Sequence, residues 1–148
     1  MKKLLQKRLN NEKGLTLVEL LAVIVILGII AAIAIPSIGN IIQNTREKAV
    51  VADAQNALAA ANLYFTENNG ETSVLIKGTG TDVKSLEASG FIKDAGSLID
   101  GTVNIAADGK VTITTTGKAG KNTVTITAKT NKELSESGKA AYSIAPTS

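Results

Sequence analysis

The sequence predicts an α+β fold in which one long N-terminal helix packs on a small antiparallel β-sheet. Residues 15 to about 68 carry a continuous helical pattern, largely apolar at first and amphipathic later, whereas the sequence after Gly70 turns to alternating apolar and polar positions. A length of 148 residues suits one globular domain. We therefore divide the chain into a leader peptide at residues 1–14, a transmembrane helix at 15–36, an amphipathic helix at 37–69 and a β-rich globular head at 70–148.

The apolar segment is long enough to cross a membrane. Residues 15–35 form a run of 21 residues that is interrupted only by Thr16, Glu19 and Gly28. At about 1.5 Å per residue, this run spans a bilayer core of roughly 30 Å. Glu19 carries the only charge in the run, and a charged side chain inside a membrane usually has a partner. The sequence therefore predicts one membrane-spanning helix that contains a carboxylate in need of pairing.

The leader accounts for the basic character of the chain. It contains five Lys or Arg residues and one Glu, so removing its net charge of +4 changes the formal charge from +3 to −1. Lys and Arg that flank a membrane helix stay on the cytoplasmic side. We therefore expect a single-pass precursor with a cytoplasmic N-terminus and the head outside, and we do not interpret the positive charge as a nucleic-acid-binding surface.

The junction between the leader and the apolar run resembles the class III signal of type IV prepilins, in particular those of Gram-positive bacteria. That signal is a short basic leader that ends in Gly, followed by a Glu five residues later and a Pro further along the helix. The positions that match are Gly14, Glu19, Gly28 and Pro36, and Leu15 stands where the family most often has Phe. The resemblance covers only the N-terminal part of the chain.

This resemblance implies a pilin-like lollipop fold and a defined maturation. A membrane-embedded aspartic prepilin peptidase would cut between Gly14 and Leu15, and the new amine of Leu15 would be methylated. Glu19 would then form an assembly salt bridge with the N-terminal amine of a neighbouring subunit. The resemblance further implies storage in membrane lipid before assembly, non-covalent polymerisation with other copies into a helical surface filament, and a pilus assembly platform with a motor ATPase as partners.

Two residue types suit these roles physically. Gly14 has no side chain, so its backbone can lie extended in a narrow active site, and the polar residues before it predict an open, accessible peptide bond. Pro36 lacks an N–H and its ring crowds the carbonyl of Ala32, so we expect a kink or local melting of the helix there. In the family, the stretch that corresponds to Gly28 and Pro36 can unwind inside filaments, and a static bend is the alternative.

Two other interpretations of the N-terminus stay open. An ordinary secretory signal would use the small residues Ala32 and Ala34 for cleavage, although such signals have apolar cores of about 7–15 residues. A plain single-span anchor would tolerate Glu19 near the membrane interface and would make Gly14 incidental.

After Pro36 the helical pattern becomes amphipathic. Apolar residues recur at spacings of three and four, so they form a stripe that can cover a sheet. Asn68 and Gly70 predict the end of the helix, because Gly suits a left-handed C-terminal cap. The predicted stripe consists of Val51, Ala54, Leu58, Ala61 and Phe65.

The head is predicted to be an antiparallel meander of at least three strands. Asp108 and Gly109 form a strong hairpin signal between alternating residues around Val103 and Ile113, and a loop at residues 117–122 leads to a third strand. The Thr-rich faces of these strands would meet solvent. The remaining assignments are a short strand or loop at 74–76, a short helix at 81–89 that ends before Gly90 with Phe91 and Ile92 turned inward, and an edge strand at 140–144.

The composition excludes several classes of catalytic site. The chain has no His and no Cys, so it contains no Cys-His dyad, no His-based triad, no His/Cys zinc cluster and no disulfide. Residues 117–122 (GKAGKN) lack the glycine spacing of a phosphate-binding loop. Asp94, Asp100 and Asp108 lack the spacing of a calcium loop. We therefore predict no enzyme, no cofactor and no metal site.

Three functions follow from the sequence. We predict a major structural subunit of a type IV pilus, with adhesion, motility or DNA uptake as outputs of the filament. The alternatives are a pseudopilin of a competence or type II secretion system, and a minor pilin that binds a ligand or DNA. No specific nucleic-acid site is evident, because phosphate contacts need clustered Lys and Arg. A modest basic patch could still be formed by Lys118, Lys121, Lys129 and Lys132.

Overall fold

The structure is a computed structural model that describes residues 2–78 and 84–147, with side chains from Thr16 onward. It confirms the predicted α+β fold class, because a long N-terminal helix is followed by a five-stranded antiparallel sheet. The chain divides between Ile42 and Gln43 into two compact units. The first unit is helical. The second, which we call the head unit, contains the rest of the helix and the whole sheet.

Helix α1 (Lys2–Glu67) ends as predicted but starts earlier. At its end, the N–H of Asn68 still donates to the carbonyl of Tyr64, and Gly70 has a φ of 104°, which lets the chain turn away. At its start, residues 2–14 are helical, so the open backbone expected before the cleavage point is not present. Leu, Lys, Gln and Arg, which are good helix formers, make up residues 2–9.

In the head unit, α1 buries the predicted apolar stripe. Ala54, Leu58, Ala61 and Phe65 are buried and Val51 is half-buried. Burying one such aliphatic or aromatic side chain contributes about 1.5–3 kcal/mol, so contact between helix and sheet is the main source of stability. The largest residues that meet the stripe are Ile76, Leu86, Leu98, Val103, Ile113, Val124, Ile126 and Leu134.

The sheet consists of strands β1 (Ser73–Leu75), β2 (Leu98–Ile105), β3 (Val111–Ala119), β4 (Asn122–Lys129) and β5 (Ser143–Pro146). Each strand pairs with the next one in sequence. The hairpin predicted at Asp108 and Gly109 is confirmed, and the N–H of Ala106 donates to the carbonyl of Lys110 across its base. Phe91 and Ile92 pack against the core from the loop before β2, as predicted.

The loop predicted at residues 117–122 is shorter in the structure. β3 continues to Ala119, which pairs with Asn122, so only Gly120 and Lys121 form the turn. Gly120 has a φ of 63°, as the commonest two-residue hairpin turns require. The GKAGKN segment is therefore the end of a tight hairpin.

Three other elements of the head unit also differ from the prediction. Of the helix predicted at residues 81–89, residues 81–83 lie outside the described residues, and residues 84–89 form a bridge and turns. Helix α2 (Asn131–Glu136) was not predicted, although the capping box of Thr130 and Glu133 marks its start. The edge strand begins at Ser143 and not at residue 140, because a 3-10 turn (Gly138–Ala141) occupies the preceding residues.

One threonine of the alternating strands lies on the core side. The register shifts between Ile113 and Thr115, and Thr115 is only 2% exposed. Its hydroxyl donates to the carbonyl of Asp100, so the buried polar group is satisfied. Alternation along β3 places it there, because Thr115 is two residues after the buried Ile113 and residues two apart on a strand share one face of the sheet.

Polar side chains tie the start and the middle of this part of α1 to the β-rich part of the head unit. Asp53 Oδ2 accepts hydrogen bonds from the backbone N–H of Ser97 at 2.8 Å and from its hydroxyl at 2.5 Å. Nearer the start of the head unit, Gln43 Nε2 donates to the carbonyl oxygen of Ala119 at 2.6 Å. These bonds anchor the loop before β2 and the β3–β4 hairpin to the same helix.

A buried carboxylate supports the second of these contacts. Glu47 is 2% exposed, and its Oε1 accepts hydrogen bonds from Asn122 Nδ2 at 3.1 Å and Gln43 Nε2 at 3.4 Å. Its Oε2 lies 3.4 Å from Lys139 Nζ, and no described donor is aligned for a hydrogen bond with it. Burial raises the pKa of Glu47, but the bonds from Asn122 and Gln43 and the attraction of Lys139 together lower it below its ordinary value of 4.5.

Gly117 allows the closest approach of α1 to the sheet. A Cβ at this position would overlap Val50 Cγ1 and lie 3.3 Å from the carbonyl oxygen of Ser97. We expect Gly117→Ala to lower the free energy of unfolding by about 1–3 kcal/mol, because the tightly packed helix must move to admit a methyl group. Urea unfolding in detergent, followed by tyrosine fluorescence, measures this loss. Both tyrosines lie in the head unit and the chain has no Trp.

The matched control is Gly39→Ala, where an added Cβ would meet nothing within 4 Å. This change should leave the unfolding of the head unit unaltered. An equal loss at both positions would show that glycine matters for a reason other than the contact with Val50.

We also expect Glu47 to make stability depend on pH. Because the folded state lowers its pKa, the carboxylate stabilises the fold above about pH 4.5 and this contribution is lost as the pH falls through the folded-state value. Glu47→Gln should therefore cost about 1–2 kcal/mol at pH 7, and the difference from the unaltered chain should shrink toward pH 3. Urea unfolding at several pH values tests this, with the exposed Glu87→Gln as the control. A difference that is constant with pH would contradict it.

Candidate functional site

The segment from Thr16 to Ile42 is an apolar helix whose surface is exposed on every side. Among the described residues, this is the one helix that is long and apolar enough to cross a membrane. A helix that is apolar all round is stable only where lipid or other helices cover it. Its exposed large side chains are Leu17, Val18, Leu20, Leu21, Val23, Ile24, Val25, Ile26, Leu27, Ile29, Ile30, Ile33, Ile35, Ile38, Ile41 and Ile42.

Glu19 lies on this apolar surface and is itself exposed. Among the described side chains, those that share its face one turn away belong to Thr16, Ala22 and Val23, and none of these residues carries a positive charge on its side chain. A cation that pairs with Glu19 must therefore be either an N-terminal amine or a group outside this helix. In a membrane or a packed helix bundle, an unpaired carboxylate would be costly.

Gly14 and Leu15 lie within the continuous helix α1. A peptidase that needs an extended backbone must therefore unwind the helix locally, and Gly14 makes this easier because Gly is about 1 kcal/mol less favourable in a helix than Ala. The pair directly precedes Thr16, where the membrane-length segment of the described residues begins.

Gly28 and Pro36 are both helical, and α1 continues through them. A Cβ on Gly28 would meet nothing within 4 Å, so no contact inside this subunit requires a glycine there. The local weakness that these two residues give the helix is intrinsic: about 1 kcal/mol for Gly and one missing backbone hydrogen bond at Pro36.

The head unit contains a polar cluster around the buried Glu47. Among residues 2–78 and 84–147, no three carboxylate, His or Cys side chains are close enough to hold a metal ion. The four lysines considered for nucleic-acid binding do not form one patch. Lys118 and Lys121 lie at one end of β4 and Lys129 and Lys132 at the other, about 24 Å apart at roughly 3.4 Å per residue.

Sequence reasoning missed Glu47, although a signal for it was present. The stripe of buried residues runs at spacings of four and three through Val51 and Ala54, and the preceding position of that stripe is Glu47. A carboxylate at a stripe position must be buried with partners or must distort the helix contact. Here Asn122 and Lys139, which are distant in sequence, supply the partners.

Comparison with known proteins agrees with this arrangement. Residues 9–35 match the family described as "Prokaryotic N-terminal methylation motif". The type IV major alpha-pilin of Moraxella bovis is 34% identical over 131 residues, which are 86% of this chain and 77% of that protein. No solved structure matches significantly.

Two further relatives match over shorter parts of their length. The type II secretion system core protein G of Vibrio cholerae is 32% identical over 94 residues, which cover 59% of this chain and 64% of that protein. The type IV wide pilus major component PilA4 of Thermus thermophilus is 37% identical over 65 residues, which cover 44% of this chain and 50% of that protein.

The pilin of Moraxella bovis is similar along most of both chains, and the methylation motif covers the exposed apolar helix that begins at Thr16. This chain therefore belongs to the family of type IV pilins and pseudopilins.

Proposed function

We propose that this chain is the major structural subunit of a type IV pilus. The observation that carries the proposal is the fully exposed apolar helix within the methylation motif, joined in one chain to a folded head unit. In the precursor, lipid covers the apolar helix. In the filament, the same helices of many copies cover each other, so polymerisation requires no covalent bond between subunits.

Pairing of Glu19 with a neighbouring copy favours the correct register of the copies in the filament. Cleavage after Gly14 creates an amine on Leu15, and this amine is N-methylated. The match of residues 9–35 to a methylation motif supports this step. The amine of one copy pairs with the Glu19 carboxylate of its neighbour, and each charge compensates the other in an apolar bundle. A copy that enters out of register leaves both charges buried and unpaired, which costs about 3–5 kcal/mol per broken pair.

Gly28 and Pro36 give the filament a segment that lengthens under load. A helix rises about 1.5 Å per residue and an extended chain about 3.3 Å, so melting the residues between them lengthens each subunit. The observation that supports this is the absence of any contact that requires Gly28 inside the described part of the subunit.

The remaining roles belong to partners. The leader holds the N-terminus in the cytoplasm through its basic residues, where a prepilin peptidase reaches the bond after Gly14. An assembly platform and a motor ATPase draw the subunit out of the membrane, and the head unit lies outside the cell. The subunit is structural and carries out no catalysis of its own.

A pseudopilin is the second candidate, because the core protein G of a type II secretion system is 32% identical over 94 residues. Such a subunit would share the processing and the Glu19 pairing. The two candidates differ in product, since a major pilin is recovered in long surface filaments and a pseudopilin stays with the membrane. Electron microscopy of sheared surface material, with intact mass of the same fraction, distinguishes them.

Gly14→Val should abolish processing, because a branched side chain next to the cut bond prevents the extended backbone from entering the peptidase. Intact-mass measurement of the membrane fraction should show the unaltered chain starting at methylated Leu15 and the variant starting at Met1. Asn11→Ala, which changes the leader three residues earlier, is the matched control and should be processed. A Gly14→Val chain that begins at Leu15 would contradict the assigned cleavage point.

Glu19→Ala should be processed normally but should reduce filaments at least a hundredfold, because the N-terminal amine would be buried without a partner at a cost of about 3–5 kcal/mol. Filament yield is measured by electron microscopy and by immunoblot of the sheared fraction. Glu12→Ala removes a carboxylate that leaves with the leader, so it should assemble as the unaltered chain does. Abundant filaments from the Glu19 variant would show that assembly does not require this salt bridge.

A further inference from the structure

An open groove lies on the head unit between α1 and the segment that connects β4 to β5. Its volume is about 230 Å³, and its floor is formed by Val51, Leu134 and Tyr142. Lys48 and Lys139 lie at its rim. We call these five residues the lysine-rimmed groove. Since a water molecule takes about 30 Å³ in the liquid, the groove has room for a whole aliphatic side chain.

The more buried residues of the groove are apolar, and the more exposed residues at its rim are positively charged. Leu134 is buried, and Val51 and Tyr142 are half-buried, so the floor is part of the core. Lys48 is exposed. Lys139 is held in place, because its Nζ donates to Asn44 Oδ1 at 2.6 Å and lies 3.4 Å from Oε2 of the buried Glu47, while its side chain stays 60% exposed. Glu47 offsets part of this charge, so Lys48 supplies most of the positive charge of the rim. The groove therefore fits an aliphatic side chain that is accompanied by a carboxylate.

The same chain presents such a group elsewhere on the head unit. Leu63 is 62% exposed on α1, more than the other large apolar residues of the described head unit, and Glu67 lies one turn later on the same face. We call Leu63 and Glu67 the acidic knob. The next most exposed aliphatic residue of the described head unit, Ile99, is less exposed, at 54%.

The groove and the knob cannot meet within one copy. Val51 and Leu63 are twelve residues apart on one helix, which separates them by about 18 Å along its axis and by roughly 120° around it. The knob of one copy can reach only the groove of another. In a contact between two different patches, the first copy keeps a free groove and the last copy keeps a free knob, or the reverse. Such a contact builds an open filament whenever the rotation from one copy to the next does not close the copies into a ring.

We propose that the acidic knob of one copy docks in the lysine-rimmed groove of the next copy, with Leu63 over the floor and Glu67 between Lys48 and Lys139. The proposal rests on the proposed polymerisation and specifies which surfaces of the head unit take part. Polar rims around an apolar centre are the usual anatomy of a specific interface.

The absence of cysteine in the natural chain makes a direct test possible. Ala52→Cys places a thiol in the groove and Thr66→Cys places one beside the knob, and both positions are exposed. The two thiols are about 21 Å apart within one copy, far beyond the reach of a disulfide, which needs Cα atoms within about 7 Å. Filaments of the double variant are treated with an oxidant or, separately, with a short bismaleimide, and then dissolved in denaturant for electrophoresis.

We expect a ladder of covalent dimers, trimers and longer products from the double variant and none from either single variant. The matched control pairs Ala52→Cys with Ile99→Cys, which moves the second thiol to the other exposed aliphatic residue and should give no ladder. A ladder from the control pair alone, dimers from Ala52→Cys alone, or intact filaments without any cross-link would each overturn the contact. Failure of the unaltered chain to form filaments would overturn the proposed function and this contact with it.

Charge exchange tests the same contact without cysteine. Lys48→Glu and Glu67→Lys each bring like charges together, and each should lower filament yield about tenfold or more. The double variant restores the pair of opposite charges at positions 48 and 67 but leaves Lys139 facing a positive charge, so it should recover part of the lost yield and exceed either single variant several-fold. Glu87→Lys reverses an exposed carboxylate away from the knob and should have no effect. Equal losses in the single and double variants would exclude the pairing of Lys48 with Glu67.

Discussion

The need to cover one apolar helix dominates this molecule. From Leu17 to Ile42, the large side chains of α1 are about half exposed or more, and none of them packs on a core of its own. The hydrophobic effect therefore acts on this segment only through something outside it, first lipid and then other copies. Glu19 carries the one charged side chain between Thr16 and Ile42, and a carboxylate that is buried in an apolar bundle is costly unless it has a partner.

The head unit must hold the C-terminal part of α1 in a fixed position on the sheet, although the helix continues beyond this unit. Its contacts with α1 alternate between apolar burial and directional bonds. Val50 packs at Gly117, Asp53 binds the loop at Ser97, and Gln55 Nε2 donates to Ser135 Oγ at 2.9 Å. Apolar burial alone would let the helix slide along the sheet. The polar bonds fix its position, and the buried Glu47 adds a contact that holds at neutral pH and weakens in acid.

The sequence predicted what depends on local pattern and missed what depends on distant partners. The stripe from Ala54 to Phe65, the helix end at Gly70 and the Asp108 hairpin follow from spacing and turn chemistry, and the structure contains all three. Burial of Glu47 depends on Asn122 and Lys139, which no local pattern connects to it. Cleavage at Gly14 and the pairing of Glu19 involve other molecules, so they rest on the family motif.

The two proposed contacts between copies are the packing of the apolar helices and the docking of the acidic knob in the lysine-rimmed groove. They contribute differently to assembly because their chemistry differs. Packing of apolar helices supplies most of the attraction but little direction, because many rotations of one helix against another bury similar area. A knob and a groove on the head units act at the surface, where salt screens the charges but shape still discriminates. Because the knob and the groove lie about 120° apart around α1, their contact sets a rotation from one copy to the next. Helical order can then arise from the head units, while cohesion arises from the apolar helix.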